Sequence, residues 1–249
     1  MGTGPTLFQY YVNQPTEALK EFANEERYAQ AAAEAVRLAR EDVSPARVAA
    51  GVRDAGPGLQ YNRRAHDGEG NLRMVSLTEF PKPPDDLHYD GVDLQVGVVR
   101  FEREGKRSLA LTNFGCHALA LWDFRGNISA DYPGRMASLL DREGIDALFI
   151  QGALGNVHPV REGDDPCGRI ARSLAGTVLE VYRSLQPSAD VDLRFGSKTI
   201  EVGRQPVRDV TEARREWEAQ PSVGEGLARY TYWLAQTYPD ASPCAFDFH

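Results

Sequence analysis

The sequence predicts an α/β or α+β fold, a mixed sheet with packed helices. Two apolar, β-branched runs, Leu94 to Phe101 and Ser108 to Phe114, flank a polar stretch containing Gly105 and read as a hairpin. After them the pattern alternates. A helical segment precedes the apolar run Ala147 to Gln151, and a second helical face of Ile170, Leu174, Val178 and Val181 follows it. If the strands ending near Gly115 and Gln151 are parallel neighbours, His117 and the loop Gly152 to Pro159 leave at one carboxyl edge, where open sheets bind ligands.

Each element has a local cause. Thr16 to Val43 carries apolar residues at three- and four-residue steps, so it is predicted helical. Ser44-Pro45 stops it, because proline excludes the preceding residue from helical geometry. Arg47 to Val52 reads as a short strand. Asp54 to Asp90, rich in Gly, Pro, Asp and Arg, reads as a long functional or disordered loop. Asp131 is placed to cap a helix from Pro133 to about Arg142, which Gly144 ends. Val191 to Phe195 is expected as a further strand. Asp209 and Glu212 form a capping pair for a helix through Glu218, and Gly226 to Tyr238 is a second helical stretch. No internal repeat is visible.

Composition narrows the function. A net charge of -8 argues against nucleic acid, because neutralising phosphates requires clustered Lys and Arg. No run approaches the roughly 18 to 20 apolar residues that cross a bilayer. Three cysteines, Cys116, Cys167 and Cys244, lack the spacing of a structural zinc site or a disulfide framework, which favours a reducing compartment. The chemistry must therefore come from three polar segments: Gly115-Cys116-His117, Asn127-Ile128-Ser129-Ala130-Asp131, and Gly152 to Pro159 with Asn156 and His158. Tyr61-Asn62-Arg63-Arg64 adds a guanidinium upstream. Taken alone, Ser129 and Asp131 read as turn and cap residues, Arg63 as a solvated loop residue and His117 as a satisfied strand-end histidine. His66, His88 and His249 show no ligand spacing.

In family order, these segments resemble the amino-terminal catalytic domain of the neutral/alkaline (non-lysosomal) ceramidases, zinc-dependent amidases that hydrolyse the N-acyl bond of ceramide. The resemblance spans about Gly2 to Phe195 and implies a Zn2+ cofactor, with His117 as a metal ligand. It implies that Ser129 and Arg63 are catalytic, Ser129 by positioning substrate or donating a hydrogen bond. Asp131 joins them, either orienting Ser129 or only capping the following helix. Asn62, Gly152, Asn156 and His158 would contact substrate, a small-molecule or lipid amide. Asn156 and His158 depart from the acidic and Ser or Asn residues usual there.

Catalytic zinc typically takes three protein ligands and one water. The family's other ligands, a histidine in a T-H-x-H element, a glutamate and a tyrosine, find no match, so the expectation is a catalytic domain truncated at both ends: residues 1–203 a partial ceramidase-like domain and 204–249 its helical extension. The alternatives are a non-catalytic, ligand-binding remnant of the same fold, and a different metal site built from His117, His158 and Asp131. The chain reads as cytoplasmic by default, or secreted if a leader preceded it.

Overall fold

The computed structural model describes residues 24–75, 82–121, 129–202, 209–219 and 244–248. It divides into two compact units, Ser44–Asp192 and the combination of Met1–Val43 with Leu193–His249.

In the unit Ser44–Asp192, a mixed four-stranded sheet forms the base. Strand β1 (Ala46–Asp54), β6 (Gln95–Arg103) and β7 (Ser108–Phe114) run antiparallel in the order β1-β6-β7, and β8 (Ile145–Gln151) lies parallel to β7 at the edge. The β6–β7 pair is the expected hairpin, with Gly105 at φ 67° in its turn. Parallel pairing requires a crossover, supplied by helix α2 (Asp131–Arg142). Tyr132, Met136 and Leu140 recur at four-residue steps and bury one face of α2. Gly144, at φ 78°, then lets the chain turn into β8.

Helix α3 (Pro166–Ser184) completes the layer. The Asp165 carboxylate accepts the Gly168 N–H at 2.9 Å and caps its start, with Pro166 at the first position. Arg100 of β6 reaches the other end, donating to the Tyr182 carbonyl at 2.8 Å. Val96, Val98, Ala110 and Phe114 from the sheet meet Met136, Leu140, Ile170, Leu174 and Val178 from the helices in one core. The residues of the sheet that alternate with these face away, leaving Val52, Leu148 and Ile150 exposed.

Asp54 to Asp90 is not a structureless connection. It holds β2 (Gln60–Asn62), β3 (Arg64–His66), β4 (Leu72–Met74) and β5 (His88–Tyr89). Strands β4, β3 and β5 make a small sheet, while β2 pairs antiparallel with β9 (Val157–Pro159). The loop reading failed because three-residue strands carry no measurable period; their pairing depends on partners distant in sequence.

In the other unit, helix α1 spans Asn24–Glu41, within the expected helix, whose first residues lie outside the described ones. Helix α4 (Val210–Glu218) begins where Asp209 accepts the N–H groups of Thr211 and Glu212 at 2.9 and 3.1 Å, as its capping sequence predicts. The stretch Gly226 to Tyr238 lies outside the described residues. Val191 to Phe195 is not a strand. Its alternation is right, but every residue in it is exposed, and a strand forms only against a partner. The pairing comes later, between β10 (Lys198–Val202) and β11 (Cys244–Phe248). No described helix is long and apolar enough to cross a membrane.

Candidate functional site

Strands β7 and β8 are parallel neighbours, with Phe114 opposite Gln151, so the segments carrying His117 and Gly152 leave at one edge. The two exits touch. The Gly152 N–H donates to the Phe114 carbonyl at 3.0 Å, and a Cβ on Gly152 would lie 3.0 Å from the Gly115 Cα. Glycine at both 115 and 152 is what permits this approach, since a Cβ on Gly115 would meet the Ala153 carbonyl oxygen at 2.9 Å. Gly152 is thus a packing residue of the strand ends.

Backbone bonds carry the convergence further. His117 donates its N–H to the Val157 carbonyl at 3.1 Å, and Arg63 donates its own to the Asn156 carbonyl at 2.8 Å. Adjacent residues at the start of β9 therefore hold His117 on one side and Arg63 on the other. The Asn62 side-chain oxygen accepts the Asn156 amide at 2.9 Å and the Arg64 N–H at 3.0 Å, which locks this junction. Asn62 and Asn156 thus bond side chain to side chain across this junction. The β2–β9 register places Tyr61 opposite His158. The His117 and His158 ring centroids lie 5.7 Å apart, and Tyr61 meets His158 edge-on at 5.9 Å.

Burial sets the electrostatics of this cluster. His158 is 6% exposed, and burial, followed by the Arg63 charge, pushes its pKa down to about 4, so it is uncharged at neutral pH. His117 is lowered by burial and by Arg63, against an opposing backbone hydrogen bond at Gly155. Tyr61 is raised by burial to about 12 and keeps its proton. The Tyr61 hydroxyl, the His158 Nδ1 and the Arg63 Nε are buried and lack a hydrogen-bond partner. Unsatisfied buried polar atoms of this kind are costly.

Ser129 and Asp131 lie where the chain enters α2. The Ser129 hydroxyl accepts the Asp131 N–H at 3.0 Å and lines an open groove of about 590 Å³ between α2 and α3, with Arg135, Arg142 and Arg172. Asn62, Arg63, His117 and His158 do not line that groove. Asp131 is not the N-cap of α2; Ala130 holds that position without a side-chain bond. Its buried carboxylate instead accepts the N–H groups of Ala120 and Leu121 at 3.2 and 2.9 Å, and of Tyr132 at 2.7 Å. A φ of 52° aims it there. Asp131 thus ties the start of α2 to the turn that follows His117.

Sequence reasoning missed the other half of that tie. Tyr132 donates its hydroxyl to the Cys116 carbonyl at 2.6 Å, and the Gln151 side-chain amide donates to the same oxygen. Tyr132 follows Asp131 and Gln151 ends the apolar run, but neither position announces a shared acceptor in a third segment. Tyr61 opens the Tyr61-Asn62-Arg63-Arg64 segment, but nothing in the sequence gives its ring a neighbour in His158.

The zinc expectation can be tested on these donors. Among the described residues no three His, Cys, Asp or Glu side chains stand close enough to hold a metal ion. The alternative set of His117, His158 and Asp131 fails because the Asp131 carboxylate is committed to backbone N–H groups. Two imidazoles fall short of three ligands, and the guanidinium beside them repels a cation, so the described residues do not fit zinc.

No family model matches the chain, and no curated protein matches it. Among solved structures it is similar to a neutral ceramidase from Pseudomonas aeruginosa, at 18% identity and a TM-score of 0.46, over 72% of this chain and 29% of that one. It is similar also to a ceramidase complexed with C2, at 20% identity and a TM-score of 0.44, over 72% of this chain and 28% of that one. The chain thus spans less than a third of the length of either structure.

Proposed function

We propose that this chain is a ceramidase-like amidohydrolase, acting on the N-acyl bond of a lipid or related amide, and that His117, His158 and Arg63 form its substrate-gripping wall. The observation that carries the reading is the meeting of His117 and His158, 5.7 Å apart at the carboxyl edge of the parallel strand pair, beside Arg63. Four motifs in family order support it from the sequence.

The residues have definable tasks. Arg63 presents a fixed fork of donors able to hold an amide carbonyl or a neighbouring anionic group. His158, neutral at pH 7, offers one donor and one acceptor nitrogen, and its ring packs edge-on against Tyr61. His117 is held by the bond of its N–H to the Val157 carbonyl and by the two hydrogen bonds that the preceding Cys116 carbonyl accepts from Tyr132 and Gln151. Zinc, which the resemblance implies, would need ligands in addition to His117, and no step is assigned to it.

A second reading, a ligand-binding module without turnover, is favoured by the lack of three metal donors among the described residues. The test is amide hydrolysis by the purified chain on N-acyl substrates, with and without added zinc, alongside metal analysis. The hydrolase reading expects turnover that His117→Ala and Arg63→Ala each reduce by at least about tenfold, roughly the effect of removing one charged or oriented group. Folded protein with no turnover and no bound zinc under either condition would sink it in favour of the binding module.

A further inference from the structure

The groove between α2 and α3 concentrates positive charge. It offers about 590 Å³, within the roughly 300–1,000 Å³ of small-molecule sites. Three guanidiniums line it. Arg135 and Arg142 stand two helical turns apart on α2 with Ser138 between them, so the three side chains rise from one face. Arg172 comes from α3. Distances bring two of the arginines together, because Arg135 donates to one oxygen of the Asp165 carboxylate at 2.7 Å and Arg172 to the other at 3.3 Å. Their side chains are 50% and 64% exposed, which leaves their remaining donors open to a ligand.

The carboxylates nearby do not balance this set. Asp165 divides one charge between two guanidiniums, each with further N–H donors, and also accepts the Gly168 N–H. Asp131 is buried and turned to the N–H groups of Ala120, Leu121 and Tyr132. Arg142 has no hydrogen-bond or ion-pair partner among the described residues. A ligand for the groove must therefore bring several acceptor oxygens and more than one negative charge. A phosphate monoester does both: it carries roughly −1.5 to −2 near pH 7, and its oxygens match the fork of a guanidinium. A single carboxylate brings one charge, and a bare phosphate ion would leave most of the volume empty. Gly134, Gly168 and Ala171 on the walls leave room beside the donors for an organic part. We propose that this groove binds a phosphate monoester of small-molecule size, gripped by Arg135, Arg142 and Arg172. The site does not rest on the amidohydrolase reading.

The test is binding to the isotope-labelled full chain. Glycerol 3-phosphate, inorganic phosphate, acetate and glycerol are titrated in, and the backbone signals of Gly134, Ser138 and Ala171 are followed by NMR. Saturable shifts are expected with glycerol 3-phosphate, weaker ones with acetate, and none with glycerol. Arg142→Gln should weaken binding by about tenfold or more, as expected for losing a charge-assisted pair, and Arg142→Lys should recover part of it. Arg183→Gln removes an exposed arginine of α3 that pairs with Glu143 and does not line the groove, so it should leave binding unchanged. No saturable shift with either phosphate, or equal weakening by Arg142→Gln and Arg183→Gln, overturns the site. Acetate or glycerol binding as tightly as glycerol 3-phosphate, or inorganic phosphate binding where the ester does not, overturns the choice of ligand. Sedimentation of the chain with vesicles of phosphatidylcholine and phosphatidic acid, without binding of the soluble ester, overturns a small-molecule ligand in favour of a lipid-borne phosphate.

Discussion

At the scale of single residues, Asp131 sets two effects against each other. Its φ of 52° is left-handed, which costs a residue with a Cβ roughly 1–2 kcal/mol relative to glycine. Against this, its buried carboxylate accepts the N–H groups of Ala120 and Leu121, bonds to a charged acceptor worth about 1.5–3 kcal/mol each. The acceptors outweigh the strain. Asp131→Gly, which relieves the backbone, is therefore expected to destabilise the protein by about 1–3 kcal/mol in urea unfolding. Asp131→Asn should do the same, because its amide turns one acceptor into a donor facing another N–H. A glycine variant as stable as the parent would show that the carboxylate is not what holds the turn after His117.

At the scale of elements, the site depends on how closely two strand ends approach. A methyl group on Gly152 would lie 3.0 Å from the Gly115 Cα and 3.1 Å from its N, and backbone cannot yield as a flexible side chain can. Gly152→Ala is expected to cost about 1–3 kcal/mol, as overpacking does. It should also shift the His117 ring signals. Gly155→Ala, in the same loop but with nothing within 4 Å of its new Cβ, is the control for stability and should leave it unchanged. If the two variants behave alike, the close approach does not matter. The same comparison explains what the sequence could disclose. The hairpin β6–β7, α2 and α3 were legible because each carries a local signal: Gly105 in the turn, Gly144 at the end of α2, and the apolar face of Ile170, Leu174, Val178 and Val181 in α3. The joining of Asn62 to Asn156, 94 positions apart, was not, because no local pattern records which distant loop satisfies a buried amide. His117 was visible as a strand-end residue. Its tie to Asp131, Tyr132 and Gln151 emerged only once β7, α2 and β8 were packed together.

At the scale of the whole molecule, the unit Ser44–Asp192 builds a core from its own residues. Among the described residues, every member of the two hydrophobic clusters, from Ala55 to Leu185, falls inside it. That stretch also closes on itself. After α3 the chain returns to the first strand, where Val48 and Ser188 exchange backbone hydrogen bonds at 2.9 and 3.0 Å and cover part of an edge that would otherwise be open. A piece with its own core and no interrupted strand pairing has what independent folding requires. Residues 44–192 produced alone are therefore expected to unfold in a single cooperative transition, to keep near-ultraviolet circular dichroism from Tyr132 and Phe149, which pack edge to face, and to retain the shifted ring signals of His117 and His158. The exposed Val52, Leu148 and Ile150 make association the competing outcome, so the transition is measured across a range of dilutions. Secondary structure that persists while the near-ultraviolet signal is lost would mean that the segments outside 44–192 are needed to fix its packing, and that the core is not self-sufficient.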